Sequence, residues 1–375
     1  AMGAVWADLR HNFSTRVTHR NTTEASPRDA PEVDSRSTLA RGVHAAIEVG
    51  IDTGLLSAVH AMRYLPVSWP RLHGLEVTRD VPYADEVGEG KSPHARTLDI
   101  YRPMNASAPL PVVMYVHGGG FRSYSKDSHW IMAVIFAKPY KTPPGFESGF
   151  LLFNCNYRLT PQHRYPCGLE DVCLAYEWVV TNCARYGGDP TRIVLSGESA
   201  GANLVTCITI ACCYERPEPW ARRVYELDAR PAAVVPACGI FQVTNIERFR
   251  TRFPRMQGFL TRYIEGCTSR YLGDVHAAPA PEHALADPLL VFESGLPPQV
   301  NNVGSDRHAQ RPLPPFFMSV GDCDPLKIDQ ERMERSLENL GVDVVSRCDT
   351  HARTHTQTHT RATHTAPQTH SNNPA

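Results

Sequence analysis

Apolar residues are spaced along this chain in three ways, and each spacing predicts a different element. From Thr38 to Met62, Leu39, Val43, Ile47, Ile51, Leu55, Leu56 and Val59 recur every three or four positions, the stripe of an amphipathic helix interrupted near Gly50 to Gly54. From Gly74 the period shortens. Leu75 to Tyr83 and Arg96 to Tyr101 read as a pair of edge strands, the second ended by Pro103. Pro111 to Val116 is an unbroken apolar run, the pattern of a strand covered on both faces, and Phe150 to Tyr157 reads as the next buried strand. Between and after them, helices are predicted near Ser128 to Ala137 and from Leu169 to Tyr186, the latter stopped by Gly187-Gly188-Asp189-Pro190.

The alternation continues with a short strand over Ile193 to Ser196, a helix from Ala200 to Tyr214 and strand character from Ala232 to Gln242. After an irregular interval come a strand at Pro315 to Val320, a charged amphipathic helix at Lys327 to Leu340 and a last strand at Val342 to Cys348. Strand and helix in regular succession imply an α/β fold: a mostly parallel central sheet with helices on both faces. The interval at about 244 to 312, with a helix-like Arg248 to Tyr271, is expected to be an insertion above the strand ends that caps a site there.

The two ends lack such periodicity. Residues 1 to 36 mix small and charged types without a period, and 349 to 375 contain no large apolar residue, only a near-alternation of Thr and His. Both are expected to be disordered, because neither can bury a core. The resulting division is 1–36 disordered, 37–73 a helical N-terminal segment contributing to the cap, 74–348 the core with its insertion, and 349–375 a tail.

Charge adds an exclusion: 38 basic against 39 acidic residues give a net −1, which points to no nucleic-acid partner. Eleven cysteines sit mostly inside apolar segments without a C-x-x-C pair, as expected of reduced thiols in a cytoplasmic protein. No segment is apolar enough to predict a transmembrane helix, and the first fifteen residues carry Asp8, Arg10 and His11 rather than a signal sequence.

Candidate chemistry converges on Gly197-Glu198-Ser199-Ala200-Gly201, which joins the Ile193 strand to the Ala200 helix. Small residues on either side of Ser199 permit a sharp strand-to-helix turn, so its hydroxyl would stand exposed at the helix N-terminus. Gly118-Gly119-Gly120 closes the Pro111 strand, where backbone amides can approach a reacting oxygen unhindered by Cβ atoms. A phosphate-binding loop is excluded because no Lys-Ser or Lys-Thr follows these glycines. Asp324 follows a strand end late in the chain and has two roles open to it, a catalytic acid or the cap of the next helix with Pro325 in its first turn. Glu198 is expected to tether the turn, Glu170 and Asp171 to pair near Arg158, and Asp329 to be a charge on a helix face.

Several linked motifs carry a family resemblance: His117-Gly-Gly-Gly-Phe121, Asn156-Tyr-Arg-Leu-Thr-Pro161, Leu169-Glu-Asp171, Tyr186-Gly-Gly-Asp-Pro190, Gly197-Glu-Ser-Ala-Gly-Ala-Asn203 and Asp324-Pro-Leu326. In order and spacing, from about residue 75 to 347, they resemble the hormone-sensitive-lipase-like carboxylesterases of the α/β-hydrolase fold. The resemblance implies a serine esterase without cofactor or metal that cleaves a small-molecule carboxylic ester through an acyl-enzyme. Ser199 would be the nucleophile, Asp324 the triad acid, and the amides of Gly118, Gly119 and Ala200 the oxyanion hole. The family's base belongs in the loop after the last strand. Counting forward from Gly341 lands beside His355, with His351 before it, and neither is followed by the small residue and Phe that the family carries. Two further readings therefore stay open: a non-catalytic small-molecule binder on the same scaffold, and an inactive product with an altered C-terminus.

Overall fold

The computed structural model describes residues 69–85, 95–106, 109–139, 147–252, 259–273, 281–295, 311–322 and 324–349. The expected helix over 38–62, the 1–36 segment, His351, His355 and the tail lie outside these described residues.

Eight strands form one sheet: β1 (Leu75–Pro82), β2 (Thr97–Pro103), β3 (Leu110–Val116), β4 (Leu151–Cys155), β5 (Gly188–Glu198), β6 (Ala233–Ala237), β7 (Phe316–Gly321) and β8 (Val344–Asp349), in the order β1-β2-β4-β3-β5-β6-β7-β8. The edge pair is antiparallel, with Leu75 opposite Pro103, and β2 runs antiparallel to β4. From β4 to β8 every pairing is parallel. Strands β3 and β4 occupy the interior as expected, and every residue of both is buried, Asn154 included.

On one face, α1 (Trp130–Ala137) packs over Leu75, Tyr101, Val113, Tyr115 and Leu152. The other face carries α2 (Cys167–Asn182), α3 (Ala200–Cys213), α4 (Pro219–Glu226) and α8 (Lys327–Asn339), whose side chains join the larger core cluster. All fourteen residues of α3 are buried, so the helix after Ser199 is held on all sides. Its low polarity follows from that position.

Between β6 and β7 the chain forms α5 (Glu247–Arg252), α6 (Phe259–Leu272), a 3-10 turn at Pro281–Ala286 and α7 (Pro288–Glu293). Asp329 departs from the expected exposed helix face. It is fully buried and accepts from the Phe241 and Gln242 amides and from Arg248 Nε at 2.6 Å. A helical period marks Asp329 as polar but cannot show that an arginine from a distant segment meets it. Asp171 behaves as expected, receiving Arg96 Nε at 2.8 Å and Arg158 Nε at 2.7 Å.

α4 and the early end of β6 were not expected. Pro219 opens α4, and Ala221, Val224 and Tyr225 bury one side of it, so a Pro at the first helical turn and an i, i+3, i+4 spacing were available signals. Strand β6 stops at Ala237 because Cys238 turns to φ 46°. Among the described residues no helix is long and apolar enough to cross a membrane.

Candidate active site

The turn at Ser199 is built from steric demands. Ser199 has φ 54° and ψ −116°, a conformation that side chains adopt only under constraint. Its amide donates to Ala237 O at 2.9 Å, and its carbonyl accepts from Asn203 N at 3.2 Å. Strand β6 and the first turn of α3 thus hold the peptide on both sides. A Cβ on Gly201 would lie 2.0 Å from Val116 O, and one on Gly197 would lie 2.7 Å from the same atom. Only glycine lets α3 and β3 approach so closely at these positions.

Facing the turn is the loop after β3. Gly119 and Gly120 have φ 107° and 61°, and Phe121 follows at 61°. Ser199, Gly119, Gly120 and Phe121 line a cavity of about 320 Å3 with Tyr124, His129, Glu198, Ile240 and Leu326. Tyr263, Ile264 and Cys267 of α6 complete it, so the 244–312 insertion contributes a wall. The lining is largely apolar, which suits an uncharged organic group beside a hydroxyl.

The three amides expected to bind an oxyanion are not equivalent. Gly118 N–H donates to Glu198 Oε1 at 2.6 Å and therefore faces the carboxylate, not the cavity. The Gly119, Gly120 and Ala200 amides donate to no described group. Ala200 opens α3, where helix geometry leaves the first amides without intrahelical partners.

Glu198 lies at the centre of a half-buried polar cluster. Its carboxylate accepts from Gly118 N–H, from Tyr115 Oη and from His129 Nε2 at 2.7 Å. Burial opposes its charge, but hydrogen bonds from His129, Tyr115 and Gly118 together with the His129 charge hold its pKa below the ordinary value. Burial likewise disfavours the charged form of His129, and the Glu198 carboxylate overrides it, raising the His129 pKa. His129 Nδ1 lies 2.9 Å from Ser128 Oγ and 3.2 Å from Ser125 O. His117, stacked on Tyr157 at 4.5 Å, has its pKa lowered to about 4, first by burial and then by the His129 charge. Although His129 shares the cavity with Ser199, both its ring nitrogens are engaged, so it is no free base.

Asp324 sits just beyond β7. Its amide donates to Gly321 O at 3.0 Å, and its Oδ1 accepts from Leu326 N at 2.8 Å. Helix α8 starts only at Lys327, so Asp324 caps the turn before the helix rather than its first residue. The Cys238 thiol has its pKa pushed up to about 12, by burial first and by the Asp324 carboxylate next. Since Cys238 follows Ala237, whose carbonyl holds the Ser199 amide, Asp324 is joined to the turn through one residue. His355 lies outside the described residues.

Phe121, Tyr124, His129, Ile240, Tyr263, Ile264, Cys267 and Leu326 were not singled out as site residues from the sequence. His129 alone carried a signal, a histidine nine residues beyond the glycine run. Phe121 and Tyr124 follow the glycine run directly, whereas Ile240, Tyr263, Ile264, Cys267 and Leu326 reach the cavity from segments far apart in the chain.

Comparison with known proteins bears on the fold and the family. Residues 113–356 match the family model described as alpha/beta hydrolase fold. Carboxylesterase NlhH of Mycobacterium tuberculosis is 37% identical over 105 residues, covering 28% of this chain and 30% of that protein. Human hormone-sensitive lipase is 34% identical over 122 residues, 32% of this chain and 10% of the lipase. These stretches thus span less than a third of either relative. Among solved structures, esterase LipW from Mycobacterium marinum superposes with a TM-score of 0.58 at 21% identity, covering 86% of this chain and 89% of that one. A bacterial heroin esterase gives 0.57 at 22% identity, covering 85% and 84%. At these identities the superpositions speak to the fold.

Proposed function

The chain belongs to the α/β-hydrolase fold family, and from that premise we propose that it is a serine hydrolase of carboxylic esters. Homology to esterases and lipases supports a general ester-hydrolase function. The observation that carries the finer reading is Ser199 at φ 54°, on one cavity with the glycine loop and at the first turn of a fully buried helix.

In this reading Ser199 Oγ attacks the ester carbonyl carbon, and its proton passes to an imidazole. The carbonyl oxygen becomes an oxyanion that accepts from the amides of Gly119 and Ala200, with Gly120 beside them. Collapse of the tetrahedral intermediate breaks the C–O bond to the alcohol, which leaves with the proton, and the acyl group remains on Ser199. Water then attacks the acyl-enzyme by the same route and releases the acid. His355 is the proposed base and Asp324 the group that orients it. The family match extends to residue 356 and so takes in His355. The apolar lining supports an uncharged acyl group, and α6 acts as part of the cap.

The test is hydrolysis of p-nitrophenyl acetate by the wild type, Ser199→Ala and His355→Ala. Turnover by the wild type with loss in both variants is expected. A wild type no faster than Ser199→Ala, yet still binding ester analogues, would replace this reading with that of a non-catalytic binder.

A further inference from the structure

Glu198 and His129 are not needed by the chemistry above, yet they form the most heavily engaged polar cluster at its edge. We propose that Glu198, held by His129 and Tyr115, is a positioning residue that fixes the oxyanion loop against the nucleophile turn. The inference rests on the hydrolase reading and adds a residue outside its nucleophile, acid, base and oxyanion donors.

The argument begins with where the carboxylate sits. Glu198 immediately precedes Ser199, so its backbone is part of the strained turn, while its Oε1 receives the Gly118 amide at 2.6 Å. Gly118 immediately precedes Gly119, whose amide is a proposed oxyanion donor. One side chain therefore joins the two segments whose relative placement sets the distance from Ser199 Oγ to the oxyanion site. The parallel ladder ties β3 to β5 only as far as Val116 opposite Gly197, and the Glu198 carboxylate carries the link one step further, to the Gly118 amide. A Cβ on Gly118 would fall 2.9 Å from Glu198 Oε1 and 3.2 Å from Ser199 Cβ.

The carboxylate must itself be fixed to do this. Tyr115, from β3, donates to its second oxygen, and His129, from the turn before α1, reaches the first at 2.7 Å. His129 Nδ1 lies 2.9 Å from Ser128 Oγ, whose own hydrogen goes to Ser125 O at 2.8 Å, and 3.2 Å from that carbonyl, so both partners accept, and its Nε2 faces a carboxylate, which also accepts. The doubly protonated imidazolium satisfies both. Among the described residues, the titratable groups facing this pair are Tyr115 from β3, His117 and Tyr124 from the loop after it, Tyr157 beyond β4 and Cys238 beyond β6. None brings a second positive charge, since burial keeps His117 neutral. The charge on His129 is thus matched to the carboxylate alone.

Glu198→Gln, His129→Gln and Tyr115→Phe separate the components. Glutamine at 198 can still accept from Gly118 but loses the charge that holds His129. On p-nitrophenyl acetate, kcat is expected to fall on the order of 10²-fold in Glu198→Gln with KM little changed, because misplacement of about 1 Å costs that much. Tyr115→Phe, which removes one of three partners and keeps the buried ring, should lose less. In an NMR titration the His129 ring, assigned by its absence in His129→Gln, should titrate above 6.5 in the wild type and shift down in Glu198→Gln. Unchanged kcat in Glu198→Gln, a loss that merely follows the folded fraction, or an unmoved His129 titration would overturn the proposal. Absence of ester turnover in the wild type would instead defeat the hydrolase reading, and the titration would still judge the tether.

Discussion

Replacing Gly201 with alanine tests the physical basis of the turn more sharply than removing the nucleophile. The second position of a helix ordinarily gains from this change, by about 1 kcal/mol, because alanine is the better helix former. Here the added Cβ would lie 2.0 Å from Val116 O and 2.7 Å from His117 O. Ordinary contact begins at 3.4 Å, so α3 and the end of β3 must part by about 1.4 Å. Both obstructing atoms are backbone in the sheet and the start of the oxyanion loop, and neither can rotate away. Overpacking of this kind costs roughly 1–3 kcal/mol, and rigid neighbours place it at the upper end. The net expectation is a loss of about 2 kcal/mol, read as a melting temperature lower by about 4–8 °C. Parting α3 from β3 also parts Ser199 from Gly119, so ester turnover should fall on the order of 10²-fold. Gly74→Ala is the control: its φ is 70° but no atom lies within 4 Å, so only backbone strain of about 1 kcal/mol is expected and no loss of turnover. Urea unfolding and p-nitrophenyl acetate assays on both variants decide the matter. A Gly201→Ala protein as stable and as active as the wild type would refute the steric account.

Three further outcomes are expected. Asp329→Ala should lower stability by about 3–5 kcal/mol in urea unfolding, because it leaves the Arg248 guanidinium buried without its carboxylate. The stability difference between wild type and Glu198→Gln should depend on pH with a definite sign. The lowered Glu198 pKa gives a contribution present above the ordinary 4.5 and lost as pH falls, and the raised His129 pKa gives one present below 6.5 and lost as pH rises past it. Urea midpoints should therefore differ most between those two values. Among the described cysteines, exposed Cys348 should react first with Ellman's reagent, while Cys155, Cys173, Cys183, Cys207, Cys212, Cys213 and Cys267 wait for denaturant because they are buried.

Periodicity alone carried the parallel core, because continuous apolar runs such as Leu110–Val116 have only one stable place, between layers of helices. The turn at Ser199 was marked by composition instead, since a glycine two residues to either side has a steric reason that can be read without coordinates. The pairing of Glu170 and Asp171 with Arg158 was legible too, because those residues lie within one supersecondary unit. What periodicity could not carry was any contact between distant segments. Asp329 read as a charge on a helix face, with no sign that Arg248 would meet it from the insertion, and nothing along the chain paired the Gly118 amide with Glu198. Motifs record which residues recur together, but a hydrogen bond has one donor and one direction, and only tertiary placement assigns it. The cavity wall shows the same division. Tyr263, Ile264 and Cys267 are unremarkable on their own helix and join a site only where α6 shares a cavity with Ser199 and the glycine loop.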